Sequence, residues 1–167
     1  GETQLKQGKF DEAKSIYRTF YERFKEDAFA QEIHWKLGFC DYRIGNFKEA
    51  IGTLQSFKTQ FKDSPLILYT HYLLGEMFLH NSDYPSSIKE LNVILTRSKE
   101  NPLWGIAFLS LFWNHIQQND FPGAHKVFQR LQKLNHFDDE KAVLQWLNAE
   151  MTFIEGRITD SLPYYFN

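Results

Sequence analysis

His34 and His71, set 37 residues apart, are the pair in this chain that most invites a metal. Imidazole is a common zinc ligand, but zinc holds its nitrogens at about 2 Å. If the two histidines occupy equivalent helices of neighbouring units, those helix axes stand roughly 8–10 Å apart. The pair therefore reads as half-buried packing histidines with one hydrogen bond each. His115, His125 and His136 follow no metal-ligand spacing. Cys40 is the only cysteine, so no intrachain disulfide forms and the compartment stays open. Its expected position in a helix interior makes it a buried thiol rather than a nucleophile. Asp138, Asp139 and Glu140 could act as paired acids, but they also describe an acidic helix start favoured by the helix dipole. The sequence holds no phosphate loop, no nucleophile elbow and no Cys/His metal set. The expectation is a chain with no catalytic residue, no cofactor and no metal.

The elements that position these residues follow from a repeat. Gly8-Phe10-Ala13, Gly45-Phe47-Ala50, Ser82-Tyr84-Ser87, Asn119-Phe121-Ala124 and Gly156-Ile158-Ser161 share one pattern of small, bulky and small residues, each set 37 after the last. A fixed period in this range marks stacked repeats, which cannot bury a core singly and share one with their neighbours. A second column agrees: Asp27, Ser64, Asn101 and Asp138 are all capping types, and Pro65 and Pro102 follow two of them. The spacing predicts a helix A starting near 28, 65, 102 and 139. A helix B follows at once, with Asn46, Asp83 and Asp120 as caps and Pro85 and Pro122 in its first turn. Apolar residues then recur at helical spacing, as in Phe47, Ala50, Ile51, Leu54, Phe57 and Phe61. Each unit is an antiparallel helical hairpin, and no sustained strand alternation is present.

Finer packing is also predicted. Phe47, Tyr84 and Phe121 wedge between the two helices near the turn. Ala13, Ala50 and Ala124 leave room for a close crossing. Gly38 and Gly75 sit in mid-helix, at an intrinsic cost of about 1 kcal/mol each relative to Ala, because a neighbouring helix approaches closely. Gly1 falls in the same column, so the chain is expected to begin inside a repeat and to be a fragment of a longer one. Pro163 falls where the last helix B should be running, which predicts that this helix is short, kinked or replaced. The implied division is a partial repeat over 1–26, full repeats over 27–63, 64–100 and 101–137, and a partial one over 138–167, all in a single repeat domain.

Charge narrows the partner classes. Nineteen basic residues against 21 acidic ones leave no basic stripe for nucleic acid. Lys58, Lys62, Arg97 and Lys99 fall near the ends of B helices and suit the negative pole there. No apolar run reaches the length of a membrane span. Phe, Tyr and Trp make up 17% of the chain, enough for both an aromatic core and an aromatic surface.

The residues Leu37-Gly38, Tyr42, Gly45, Phe47, Ala50 and Pro65 resemble the tetratricopeptide repeat (TPR) motif, most closely from about 28 to 92. The chain departs from it in having Phe112 for the helix-A glycine and Asn148 for the leucine. The motif's tryptophan falls one place late, at Trp35, and the period is 37 rather than about 34. The resemblance implies an all-α, right-handed superhelical solenoid of helix hairpins. The spacing is similar to that of bacterial envelope TPR proteins, the Tol–Pal-associated periplasmic protein and the outer-membrane assembly lipoproteins, and suggests a periplasmic or outer-membrane-associated setting.

In that family the A helices line the concave face. Carried across, the inward positions are Trp35, Phe39, Tyr42 and Arg43, then Tyr72, Glu76, Leu79 and His80, then Leu109, Trp113, Ile116 and Gln117, and finally Trp146, Glu150 and Phe153. The resemblance thus implies a scaffold that binds a protein or peptide on an aromatic groove, at Trp35, Phe39, Tyr42, Arg43, Tyr72, Glu76, Leu109, Trp113 and Trp146. Aromatic residues at this spacing are also what a packed core looks like. Chaperone-binding TPRs hold a terminal carboxylate with Lys and Asn at positions that are Trp35 and Phe39 here, so an apolar or amphipathic segment suits the groove better. The other readings are a regulatory or substrate-recruiting arm of a larger enzyme, and a self-assembly module.

Overall fold

The computed structural model describes residues 1–97, 101–133, 141–154 and 156. Expectations placed on Lys99, His136, Asp138, Asp139, Glu140, Ile158, Ser161 and Pro163 lie outside them. The described residues are helical, without a strand. A short α1 (Glu2–Lys6) is followed by α2 (Phe10–Arg23), α3 (Ala30–Ile44), α4 (Phe47–Gln60), α5 (Ile67–His80), α6 (Tyr84–Thr96), α7 (Trp104–Gln117), α8 (Phe121–Gln132) and α9 (Lys141–Ile154). The B helices begin at 10, 47, 84 and 121 and the A helices at 30, 67, 104 and 141, so both series advance by 37. The chain forms two compact units, Gly1–Leu103 and Trp104–Asn167.

The small-residue column is the turn between A and B. Gly8, Gly45, Ser82, Asn119 and Gly156 have φ of +74°, +89°, +59°, +56° and +77°. This left-handed conformation is free for glycine and tolerated by few other residues. It lets the next residue's amide reach back to the carbonyl five places earlier: Asn46 N to Asp41 O at 2.9 Å, Asp83 N to Phe78 O at 2.8 Å and Asp120 N to His115 O at 2.9 Å. Carbonyls in the last turn of α3, α5 and α7 are satisfied this way as the chain reverses.

The start of helix A differs from the expectation by two residues. Asp27, Ser64 and Asn101 do cap, each accepting from the amide two residues on: Phe29 N at 2.8 Å, Leu66 N at 3.1 Å and Leu103 N at 3.0 Å. They cap a lead-in turn, closed by Ala30 N on Asp27 O and Ile67 N on Ser64 O, and the α-helix begins only after it. At the helix-B starts, Asp83 and Asp120 accept from Ser86 N and Gly123 N. Asn46 does not cap with its side chain and turns instead toward Asp41.

In the first unit, the mid-helix glycines are crowded as expected. A Cβ on Gly38 would lie 2.7 Å from Leu54, and one on Gly75 would lie 2.9 Å from Leu91. Gly1 is not inside a helix; it precedes α1, yet it meets Tyr17, the residue 37 before Leu54. Ala13, Ala50 and Ser87 are fully buried, and Ser87 Oγ donates to Gly75 O at 2.6 Å, bonding α6 to α5. One core cluster gathers Ala50, Leu54, Leu73, Leu74 and Met77, and another Ala13, Tyr17 and Cys40. Phe47 and Tyr84 are half-buried, and Phe47 packs on Tyr42 of its own A helix near the turn, as expected. Phe47 packs edge-on to His80 of the next A helix at 4.6 Å.

In the second unit, Trp104, Phe108, Leu111 and Phe112 of α7 and Ala124, Phe128 and Leu131 of α8 are buried. Phe112 replaces the column's glycine and is itself core. Phe121, expected as a wedge, is exposed.

Candidate protein-interaction face

The predicted site residues fall into columns one repeat apart. Trp35, Tyr72, Leu109 and Trp146 form one; Phe39, Glu76, Trp113 and Glu150 a second; Tyr42, Leu79, Ile116 and Phe153 a third. All lie on A helices. In the first unit the structure joins several into a ribbon of rings. Trp35 and Phe39 stack, 5.3 Å apart and 11° from parallel. Phe39 continues to Tyr42, and Tyr42 to Phe47. Phe10 of α2 meets Phe39 edge-on. The exposed Arg43 lays its guanidinium over Phe10 at 4.5 Å and over Phe39 at 5.7 Å. Such a stack desolvates part of each ring while holding a cation at the rim.

These rings are half-buried, so each divides its area between core and surface. Trp35, Phe39, Tyr42 and Tyr72 all pack against the cluster around Leu54 and Met77. Trp35 is fixed further, since Nε1 donates to Thr70 Oγ1 of α5 at 3.1 Å. Burial pushes the Tyr42 phenol up, and the nearby Glu76 carboxylate adds to it, so the ring stays neutral. In the second unit, Trp113 of α7 and Trp146 of α9 approach to 5.9 Å. Trp146 is 37% exposed and Phe153 52%. Leu109 and Trp113 are half-buried.

The histidines take packing roles. His34 is buried, edge-on to Phe57 and Phe61, with Nδ1 3.2 Å from the Tyr21 hydroxyl. Burial pulls its imidazole below the ordinary range. His71 Nδ1 lies 2.5 Å from Glu90 Oε2. Cys40 is fully buried, and burial pushes its thiol up to about 11, with Asp41 next in effect, so no thiolate forms near neutrality.

Sequence reasoning missed the buried charges. Glu90 of α6 is 6% exposed and receives both His71 and Lys58 Nζ, the latter at 2.5 Å on Oε1. Lys58 is thus bound to a carboxylate, beyond any role at a helix pole. Burial pushes Glu90 up, but the bonds from His71 and Lys58 outweigh it and hold the carboxyl below its ordinary value. Asp41, also buried, is paired with Lys14 of α2. The available signal was the column Ile16, Thr53, Glu90 and Val127, in which Glu90 is the lone charge.

Residues 1–65 match the Tetratricopeptide repeat family model. Among solved structures, a Podosopora anserina protein described as a kinesin light chain with nearly identical TPR-like repeats is similar at a TM-score of 0.77 and 13% identity, over 98% of this chain and 87% of that one. A MamA protein is similar at 0.74 and 18% identity, over 99% and 84%. MamA MSR-1 C2 follows at 0.67 and 17%, over 98% and 87%. No curated protein matches the chain by sequence. The fold is that of an all-α, TPR-like repeat protein. Repeats of this type generally serve as protein-interaction scaffolds rather than catalysts. No helix among the described residues is long and apolar enough to cross a membrane.

Proposed function

We propose that this TPR-like chain is a scaffold whose A helices bind an apolar or amphipathic segment of a partner protein. The ribbon Trp35–Phe39–Tyr42 with Arg43 at its rim is the observation that carries the reading. Rings that are half-buried and mutually stacked are rigid before the partner arrives, so little side-chain entropy is lost on binding. Aromatic residues and arginine are also the side chains that dominate interface energetics. The contacts proposed are Trp35, Phe39, Tyr42, Arg43, Tyr72 and Glu76 in the first unit, and Leu109, Trp113 and Trp146 in the second. The 37-residue spacing, similar to that of envelope TPR proteins, supports a cell-envelope assembly as the setting.

The test is selection of binding peptides from a displayed random library against the whole chain. Arg43→Ala and Trp146→Ala are suited to it because both side chains are exposed. Each is expected to weaken the peptides selected on its own unit about tenfold or more, the mark of an interface anchor, with a smaller loss of melting temperature than Trp35→Ala. Trp35→Ala also removes the Thr70 bond and the Phe39 stack, so it lowers affinity and stability together. Peptides that bind both exposed-site variants as tightly as the parent chain would place the interface elsewhere.

A further inference from the structure

A cavity of about 360 Å³ opens beside Trp35, between the start of α3 and the lead-in to α5, and Gln31, Glu32, Lys36, Pro65 and Leu66 line it with the indole. We propose that it receives the side chain of an arginine in the partner segment. This inference rests on the groove reading and names the anchor that the groove takes at its edge.

Three observations select a cation. The first is the charge turned outward. Lys36 Nζ lies 2.6 Å from Glu2 Oε1 and 2.5 Å from Glu32 Oε1. The lysine side chain is 14% exposed, whereas those of Glu2 and Glu32 are 56% and 49% exposed. This group of two carboxylates and one ammonium therefore shows solvent mainly its carboxylates. Burial pulls Lys36 down, but its bonds to Glu2 and Glu32 outweigh this and keep it protonated, while Lys36 and Tyr17 hold Glu2 ionised.

The second is the state of the indole. Phe39 stacks on Trp35, and Thr70 takes its N–H. What the ring can still offer is π surface, to which a planar guanidinium is suited. The third is the match of the remaining lining to an arginine side chain. Lys36 already serves two carboxylates. Pro65 and Leu66 supply an apolar wall for the methylene stem, and Glu32 meets the head.

The probes are N-acetyl-arginine methylamide, N-acetyl-norleucine methylamide and N-acetyl-glutamate methylamide, titrated into the ¹⁵N-labelled whole chain. The reporter is the Trp35 Nε1–H resonance, identified by its loss in Trp35→Phe. The arginine compound is expected to shift it with millimolar affinity, at least about fivefold tighter than either other probe. Glu32→Gln, at an exposed position, should leave melting unchanged and weaken that binding about threefold or more. Equal or tighter binding of norleucine or glutamate overturns the proposal, as does an arginine-insensitive resonance up to about 50 mM. Selected peptides that bind through Arg43 and Trp146 while arginine leaves Trp35 unmoved would sink the pocket and spare the groove. An arginine response alongside peptides indifferent to Arg43 and Trp146 would do the reverse.

Discussion

Two joints in the first unit occupy equivalent places, one repeat apart, and are built from opposite chemistry. Between α2 and α3, Tyr21 meets His34. At the positions 37 further on, Lys58 and His71 both converge on Glu90. The first joint is a neutral imidazole among the rings of Tyr21, Phe57 and Phe61. The second is a buried carboxylate held from two helices. Backbone periodicity is thus indifferent to the polarity of the joint. What the repeat fixes is the meeting of the side chains, and each joint solves burial separately: one by keeping a titratable group uncharged, the other by pairing charges.

The largest expected effect comes from breaking the second joint halfway. Glu90→Ala takes the shared acceptor from Lys58 and His71 and should cost about 2 kcal/mol, the usual loss of a hydrogen bond to a charged group. Chemical unfolding followed by hydrogen exchange in α4 to α6 checks it. The sequence supplies the control. One repeat later, these three columns hold Leu95, Phe108 and Val127, all buried. The combined replacement Lys58→Leu, His71→Phe and Glu90→Val should be neutral or stabilise, because well-packed apolar groups need no ion desolvation. A triple variant as unstable as Glu90→Ala would show that the polar joint is needed in its own right.

Acid separates the joints by a smaller effect. His34 has a folded pKa below its ordinary 6.5, so the unfolded chain binds the extra proton first. Its contribution is fully present above about pH 6.5 and is lost as pH falls below that value. Glu90 is also lowered, from an ordinary 4.5, so its contribution is present above that value and is lost as pH falls further through the folded pKa. On acidification, amide protection should fall first between α2 and α3, and only at lower pH across α4 to α6. Simultaneous loss at both, or the reverse order, would contradict the assignment.

The legible and illegible parts of the molecule divide along the same line. Glycine, serine and asparagine at the turns were readable because a left-handed residue restricts the side chain by local sterics. Gly38 and Gly75 were readable because a mid-helix glycine needs a reason, and Leu54 and Leu91 supply it. The sequence puts helix A two residues early because Asp27, Ser64 and Asn101 cap a turn that residue type does not distinguish from a first helical turn. Phe47 keeps the contact expected with its own A helix, through Tyr42, and adds one that apolar type does not reveal, edge-on to the next repeat's His80. For the candidate face, the columns were visible, but the Trp35–Thr70 bond and the Arg43 placement depend on rotamers set across repeats. Glu90 was missed for a similar reason: its partners come from two other helices, and only its oddity in an uncharged column marked it.

The smallest effect tests what the first joint is made of. Tyr21→Phe removes one hydroxyl 3.2 Å from His34 Nδ1 and keeps the ring that packs 4.9 Å from the imidazole. A single hydrogen bond to a neutral group contributes about 1 kcal/mol, so the loss should be of that order. Burial, not the phenol, is what lowers His34. The variant should therefore melt slightly earlier while its imidazole, followed by NMR, still titrates below the ordinary range. A His34 titration that returned to the ordinary range in Tyr21→Phe would mean the hydroxyl, rather than the surrounding rings, keeps that imidazole neutral. The contrast between the joints would then be one of hydrogen bonding in both, instead of desolvation against charge pairing.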